Sequence, residues 1–130
     1  MKIGFIGLAM FGGKLGSNLL NNNFDLMVFD KNHEVLDQFK KRGSKIATSI
    51  EELVKKNDIL ITCLPSPEAC KDVIESPKGI AECINENQIW MEMSTTDEDQ
   101  LKKHASLIES KNAIALEAPV SGGLSSCSYW

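Results

Sequence analysis

The chain has 130 residues, of which 42% are hydrophobic and 25% are charged, and its formal net charge is −4 at pH 7. This length can bury one sizeable core, and the acidic balance argues against a nucleic-acid surface. No apolar run approaches the roughly 18 residues that span a bilayer, and the N-terminus lacks the pattern of a signal or transit peptide, so we expect a cytoplasmic domain without membrane or direct nucleic-acid partners.

A buried strand opens the chain and runs directly into a glycine-rich turn. Ile3, Phe5 and Ile6 form the apolar run of a central parallel strand. Small residues at positions 7, 9 and 12 then occupy the three key places of a G-x-G-x-x-G dinucleotide-binding motif. Ala9 departs from this motif, because its methyl group stands where the backbone should approach a pyrophosphate. The candidate cofactor contacts in the turn are Gly7, Leu8, Ala9, Met10, Phe11 and Gly12.

A helix and a second strand follow the turn, as in a βαβ nucleotide-binding unit. Leucines on one face of residues 14–20 predict the helix, and residues 25–30 predict the strand. Asp30 ends this strand 18 positions after Gly12, close to the spacing of about 20 at which an acidic side chain accepts hydrogen bonds from the adenine ribose. Asp30 therefore favours NAD, whereas Lys31 could accept a 2′-phosphate and leaves NADP open. The alternative is a solvated carboxylate at a strand end beside an ordinary glycine turn.

Helical and strand patterns keep alternating in the rest of the chain, without a repeat or an obvious linker. Further strands are predicted at residues 44–48, 58–65, 88–93 and 113–117, with helices between them. Alternation of this kind is typical of βαβ units. We therefore expect an α/β fold, namely a Rossmann-like, doubly wound parallel sheet of about six strands in a single domain.

Site candidates beyond the first turn lie where the later strands end, because ligands of doubly wound sheets bind beyond the carboxyl ends of the strands. Hydroxyl groups and glycine amides at these ends could bind a nicotinamide ribose and a substrate carboxylate. Ser94 and Thr95 have an alternative role as caps of the next helix, and the glycines near residue 122 could form a flexible turn. The candidates are Leu64, Pro65, Ser94, Thr95, Thr96, Ser121, Gly122 and Gly123.

The cysteines show no metal-binding or redox pattern. Cys63, Cys70, Cys83 and Cys127 form no C-x-x-C pair, and no histidine lies near them at a typical ligand spacing. We therefore expect no metal site, and we expect the thiols to be reduced.

Taken together, these motifs resemble the β-hydroxyacid dehydrogenase family, which includes 3-hydroxyisobutyrate dehydrogenases and glyoxylate and succinic semialdehyde reductases. The resemblance covers residues 2–123 and is most specific in residues 117–123; it also rests on residues 4–12, 64–65 and 93–95. It implies an NAD(P)-dependent oxidoreductase that transfers a hydride to or from a small hydroxy acid or aldehyde. It further implies cofactor contacts at Leu64, Pro65 and Thr95, and a substrate-carboxylate site at Ser121, Gly122 and Gly123.

The chain departs from the family pattern at three positions and matches one branch of the family best. Ala9 replaces the second glycine, Glu117 replaces the commoner aspartate, and Ala69 stands where some members have a cofactor-binding asparagine. Residues 66–72 and 116–120 are most similar to the glyoxylate reductase branch and its nuclear relative. A non-catalytic nucleotide-binding or assembly module, located in the nucleus, is therefore the alternative to an enzyme.

The resemblance also divides the chain into two parts. Residues 1–123 are expected to form the NAD(P)-binding domain, whereas residues 124–130 do not resemble the family. Family members continue into a helical domain that carries the catalytic lysine, so we expect no catalytic residue in this chain and no turnover by the chain alone. Apolar side chains near the sixth strand, including Val120, would then be uncovered, and we expect self-association as a homo-oligomer.

Overall fold

The computed structural model describes residues 1–120, in which six parallel strands form one sheet. The strands are β1 (Lys2–Ile6), β2 (Asp25–Phe29), β3 (Lys45–Ile46), β4 (Ile59–Thr62), β5 (Ile89–Glu92) and β6 (Ile114–Glu117). Their order in the sheet is β3-β2-β1-β4-β5-β6, which is the order of a dinucleotide-binding Rossmann fold. The predicted fold class is confirmed. The direction of winding reverses between β1 and β4, where such sheets bind their ligands.

Helices connect the strands throughout the described residues. They are α1 (Phe11–Asn21), α2 (His33–Lys41), α3 (Ile50–Lys56), α4 (Pro67–Glu75), α5 (Ile80–Cys83) and α6 (Glu98–Glu109). The start of α6 differs from the prediction, because the side chain of Asp97 caps this helix by accepting from the Gln100 N–H at 2.8 Å. The alternative role of Ser94 and Thr95 as caps of this helix is therefore wrong.

Apolar clusters cover both faces of the sheet, as expected for parallel strands between two layers of helices. Phe5 and Val28 are fully buried in the cluster that packs against α1 and α2. Leu60 and Trp90 are fully buried in the cluster on the opposite face, against α3 to α6. The indole N–H of Trp90 donates to the hydroxyl of Thr62 at 3.0 Å. This packing fixes the strand ends, and with them the loops that carry the candidate site.

The edge strand β6 leaves two large apolar side chains in solvent, since Ile114 is 49% exposed and Leu116 is 42% exposed. Val120, which was expected to be uncovered, is half-buried. Among residues 1–120, no helix is long and apolar enough to cross a membrane, and no group of three or more His, Cys, Asp or Glu side chains could hold a metal ion. Ser121, Gly122 and Gly123, which are predicted to bind the substrate, and the tail at 124–130 lie outside the described residues.

Candidate functional site

The turn between β1 and α1 has room only for glycine at two of its motif positions. Gly7 has a φ of 94°, which L side chains rarely adopt, and a Cβ there would overlap the backbone oxygen of Cys63. A Cβ at Gly12 would overlap the backbone oxygen of Gly7. The backbone closes the turn, because the Gly12 N–H donates to the Ala9 carbonyl at 3.0 Å. The two glycines therefore allow the chain to pass this tightly from strand to helix.

The tip of the turn is formed by Ala9 and Met10, which are both exposed. Met10 has a φ of 41° and a ψ of −102°, a combination outside the regions that residues with a side chain favour. Strain of this kind costs of order 1–3 kcal/mol and is concentrated at ligand sites. It follows that the surrounding structure holds Met10 in a conformation that local preferences alone would not select.

The N-terminus of α1 has no side-chain cap. Met10 occupies the cap position without a side-chain hydrogen bond to the helix, and the first turn contains no acidic residue. By contrast, α2, α3, α4 and α6 each have a side-chain cap and an acidic residue in the first turn. Within residues 1–120, the N–H groups of Phe11 and Gly13 have no hydrogen-bond acceptor. Free N–H groups at the positive end of a helix dipole suit an anion such as a phosphate.

Asp30 follows β2 and joins the strand end to the glycine-rich turn. Its Oδ2 accepts from the Leu8 N–H at 2.7 Å, and its Oδ1 accepts from the Asn32 N–H at 2.8 Å. Each carboxylate oxygen has a second lone pair, so Asp30 is still able to accept hydrogen bonds from a ribose. Lys31 is exposed beside it. The motif spacing indicated this carboxylate, but it gave no sign of the bond that ties it to the turn.

A cavity of about 480 Å³ is bordered by the glycine-rich turn, the end of β2, the end of β4, the start of α3 and one side of α4 along its length. Its volume is in the range of small-molecule and cofactor sites. Its wall is mainly apolar and includes the charged side chains of Asp30, Lys31 and Asp72. The lining residues are Ile6, Gly7, Ala9, Phe29, Asp30, Lys31, Ile50, Cys63, Leu64, Pro65, Ala69, Asp72, Val73 and Ser76.

The structure brings together some of the predicted cofactor contacts in this cavity and separates others from it. Leu8 and Met10 border a second groove of about 420 Å³ between α1 and α2. Phe11 and Gly12 lie in the first turn of α1, and Thr95 is exposed after β5. The predicted residues that line the cavity are Gly7, Ala9, Asp30, Lys31, Leu64 and Pro65.

The loops after β4 and β5 are held together by a hydrogen bond that the sequence pattern did not predict. The hydroxyl of Ser94 accepts from the Leu64 N–H at 2.7 Å, and the Ser94 N–H donates to Oε1 of Glu92 at 2.8 Å. Ser94 is therefore a link between two strand ends. Glu92 was not among the predicted site residues, although an acidic residue within the apolar run of a strand is a signal that could have identified it.

The cavity wall also contains residues that sequence reasoning did not select. Ile50 and Val73 come from α3 and α4. Their positions fit the apolar face of a helix, and the sequence pattern does not distinguish an apolar residue that lines a cavity from one that packs in the core.

Comparisons with known proteins identify the family to which the chain belongs. Residues 2–128 match the family described as the NAD binding domain of 6-phosphogluconate dehydrogenase. The chain is 36% identical over 121 residues to the cytokine-like nuclear factor N-PAC of Pongo abelii, covering 93% of this chain and 22% of that protein. It is 33% identical over 122 residues to the mitochondrial 3-hydroxyisobutyrate dehydrogenase of Mus musculus, covering 94% of this chain and 36% of that enzyme.

A solved structure gives the same result for the fold. Psf3, in complex with NADP+ and 2-OPP, superposes with a TM-score of 0.91 at 27% sequence identity, covering 95% of this chain and 44% of that chain. The chain thus spans less than half the length of each of these three relatives.

Proposed function

Because the chain belongs to the family of the NAD binding domain of 6-phosphogluconate dehydrogenase, we propose that it binds NAD for an oxidoreductase that acts on small hydroxy acids or aldehydes. The observation that carries this proposal is the uncapped start of α1 beside an apolar cavity of about 480 Å³. An anion site next to an apolar cavity matches a dinucleotide, which joins a charged pyrophosphate to an aromatic adenine base with apolar faces.

Each part of the cofactor has a proposed place in the chain. The glycine-rich turn and the N–H groups of Phe11 and Gly13 hold the pyrophosphate, and the apolar cavity holds the adenosine. Asp30 accepts hydrogen bonds from the ribose. Leu64, Pro65 and Thr95 contact the nicotinamide half, whose ring accepts or donates a hydride when the cofactor is bound. The proposed contacts of the turn with the dinucleotide are Gly7, Leu8, Ala9, Met10, Phe11 and Gly12.

The carboxylate of Asp30 favours NAD over NADP, because it would lie near a 2′-phosphate and repel it. Lys31 works in the opposite direction, since its ammonium group could accept that phosphate. We expect the carboxylate to dominate, because two backbone N–H donors fix its position, whereas Lys31 is exposed and its long side chain loses entropy on ordering.

The proposed function also includes a site for the substrate carboxylate and a hydride transfer in the whole protein. We propose that Ser121, Gly122 and Gly123 hold a substrate carboxylate, because closely spaced glycine amides and a hydroxyl suit an anion. Hydride transfer to a carbonyl also needs an acid near the developing alkoxide. The family resemblance assigns that role to a lysine in a helical domain, beyond the segment of the relatives that this chain matches. We therefore expect residues 1–130, assayed alone, to bind cofactor without turnover.

A second candidate is a nucleotide-binding module that supports assembly in the nucleus. The identity of 36% to the nuclear factor N-PAC favours it. Both candidates require the same cofactor site, and they differ in turnover and in the cell compartment. The two candidates are tested with the full-length protein as it occurs in cells. Steady reduction of glyoxylate or succinic semialdehyde by that protein would support the enzyme. Cofactor binding without turnover would support the nucleotide-binding module.

The proposed cofactor preference is tested by titrating the chain with NADH and NADPH in a calorimeter. We expect tighter binding of NADH, and we expect Asp30→Asn to reduce the preference about tenfold, since it removes the charge and retains an oxygen that can accept from Leu8. Asp37→Asn, an identical change at an exposed position of α2, is the control and should leave the preference unaltered. Equal binding of the two cofactors, with no effect of Asp30→Asn, would contradict the assignment.

A further inference from the structure

Glu92 is a buried acidic residue at the carboxyl end of β5. Its side chain is only 1% exposed, although burying a carboxyl group is unfavourable unless hydrogen bonds compensate. Its register partner on β6 is Glu117, which is exposed. An apolar residue would pack at position 92 at no such cost. The presence of a carboxyl group there therefore calls for a reason beyond filling the space.

The contacts of Glu92 lead to the candidate cofactor site in two steps. Oε1 of Glu92 accepts from the Ser94 N–H at 2.8 Å, and the hydroxyl of Ser94 accepts from the Leu64 N–H at 2.7 Å. Leu64 and Pro65 line the cavity. The buried carboxyl group thus holds Ser94, and Ser94 holds the first residues of the loop that follows Thr62 and Cys63 at the end of β4.

The other oxygen of Glu92 has room for a further donor. Within residues 1–120, Oε2 has no hydrogen-bond partner. The hydroxyl of Ser94 uses a lone pair for Leu64 and keeps its own proton to donate. The thiol of Cys70 is also in this cluster, and its pKa is raised to about 11, first by burial and then by the charge of Glu92. The Cys70 thiol is therefore a protonated donor at neutral pH near the carboxyl group of Glu92.

We propose that Glu92 is a positioning residue that fixes the cofactor-binding loop at Leu64 and Pro65 through Ser94. This inference rests on the proposed function of that loop. The carboxyl group supplies the acceptor that sets the Ser94 main chain, and this in turn directs the Ser94 hydroxyl at the Leu64 N–H. Glu92 does not touch the cofactor in this arrangement.

The substitution Glu92→Met distinguishes a positioning role of Glu92 from a role in packing alone. Glu92→Met keeps the length and approximate volume of the side chain but removes both oxygens. Replacing a buried carboxyl by an apolar group of similar size is often neutral or stabilising, so a role in packing alone predicts normal binding and an unchanged or higher melting temperature. The positioning role predicts about tenfold weaker binding of NADH at that same melting temperature, because the Ser94 N–H loses its acceptor. Glu86→Met, at an exposed position, is the control.

Two more variants test the relay through Ser94. Glu92→Gln keeps an oxygen for the Ser94 N–H and should restore most of the affinity that Glu92→Met loses. Ser94→Ala should weaken NADH binding as much as Glu92→Met, and the double variant should be no weaker than either, since both changes break one path. Normal NADH binding by Glu92→Met, failure of Glu92→Gln to restore it, or additive losses in the double variant would overturn the proposal.

A readout without cofactor distinguishes failure of this inference from failure of the proposed function. In ¹H–¹⁵N spectra of the free protein, the Leu64 amide proton should lie downfield and should move upfield in both Glu92→Met and Ser94→Ala, because its hydrogen bond to the Ser94 hydroxyl is lost. If the wild type binds neither NADH nor NADPH while these shifts occur, the cofactor assignment is wrong and the relay stands. If the Leu64 signal stays in place in Glu92→Met, the relay is wrong whatever the chain binds.

Discussion

The helices α1 and α6 both pack on the sheet, but their N-termini differ in how the free N–H groups are satisfied. Asp97 caps α6 and its first turn contains two acidic side chains, so the helix start is satisfied within the chain. The start of α1 has neither, and a strained Met10 precedes it. Since the other long helices follow the α6 pattern, the difference indicates that α1 leaves its N–H groups available for an external anion.

The largest effect is expected from Gly12→Ala, which should lower the free energy of unfolding by about 3 kcal/mol and abolish NADH binding. The added Cβ would overlap the backbone oxygen of Gly7, so the turn would have to shift its backbone to accept the methyl group. Urea unfolding and NADH titration measure the two effects.

Gly43→Ala is the control for that substitution, because the added methyl group meets no other atom. Gly43, unlike Gly12, has a positive φ, of 97°, but a Cβ there would have no atom within 4 Å. It should cost about 1 kcal/mol from backbone conformation alone and leave NADH binding unaltered. Equal stability losses for Gly12→Ala and Gly43→Ala would show that the turn is not sterically closed.

An intermediate effect on NADH binding is expected when α1 receives an acidic N-cap residue like that of α6. Met10→Asp places an acidic side chain at the N-cap, where it should stabilise the free chain by up to about 1 kcal/mol and weaken NADH binding about tenfold by repelling the pyrophosphate. Met10→Asn supplies a similar cap without charge and should bind NADH nearly as well as wild type. Calorimetric titration of both variants would refute an anion site here if Asp and Asn gave the same affinity.

The smallest effect is expected at Ala9, where the motif usually has glycine. Ala9→Gly removes a methyl group from the border of the cavity and should tighten NADH binding by about 1 kcal/mol or less, offset in part by the greater freedom that glycine gives the unliganded turn. Asp97→Ala, which removes the cap of α6, serves as the opposite control: it should lower stability by about 1 kcal/mol without changing NADH affinity. Unchanged or weaker binding by Ala9→Gly would mean that the turn already accommodates alanine.

Much of the fold was predictable because strong local signals agreed with each other. The apolar strand, the glycines at 7 and 12 and the acidic residue at 30 follow in the order of a βαβ unit, and β2 ends directly before Asp30. The alternation of later elements then implied a parallel sheet. The sequence could not reveal the hydrogen bond between Asp30 and Leu8, because it joins residues that only the folded chain brings together.

The role of Ser94 shows a second limit of the sequence. Serine and aspartate are both good helix caps, and Ser94 and Asp97 stand only three residues apart before α6. The structure resolves this ambiguity, because Asp97 caps the helix and Ser94 binds the Leu64 N–H. The assignment of Ser121, Gly122 and Gly123 to the substrate stays a prediction, since these residues lie outside the described part of the chain.

The most direct test of an anion site at the start of α1 is a ¹H–¹⁵N titration of the chain with NADH, which compares helix starts within one molecule. We predict that the amides of Phe11 and Gly13, at the uncapped start of α1, shift strongly as NADH binds. The amide of Gln100, which the Asp97 side chain already binds, should stay in place. Shifts of equal size at both helix starts, or NADH binding without a shift at Phe11 and Gly13, would contradict the claim that α1 holds the pyrophosphate.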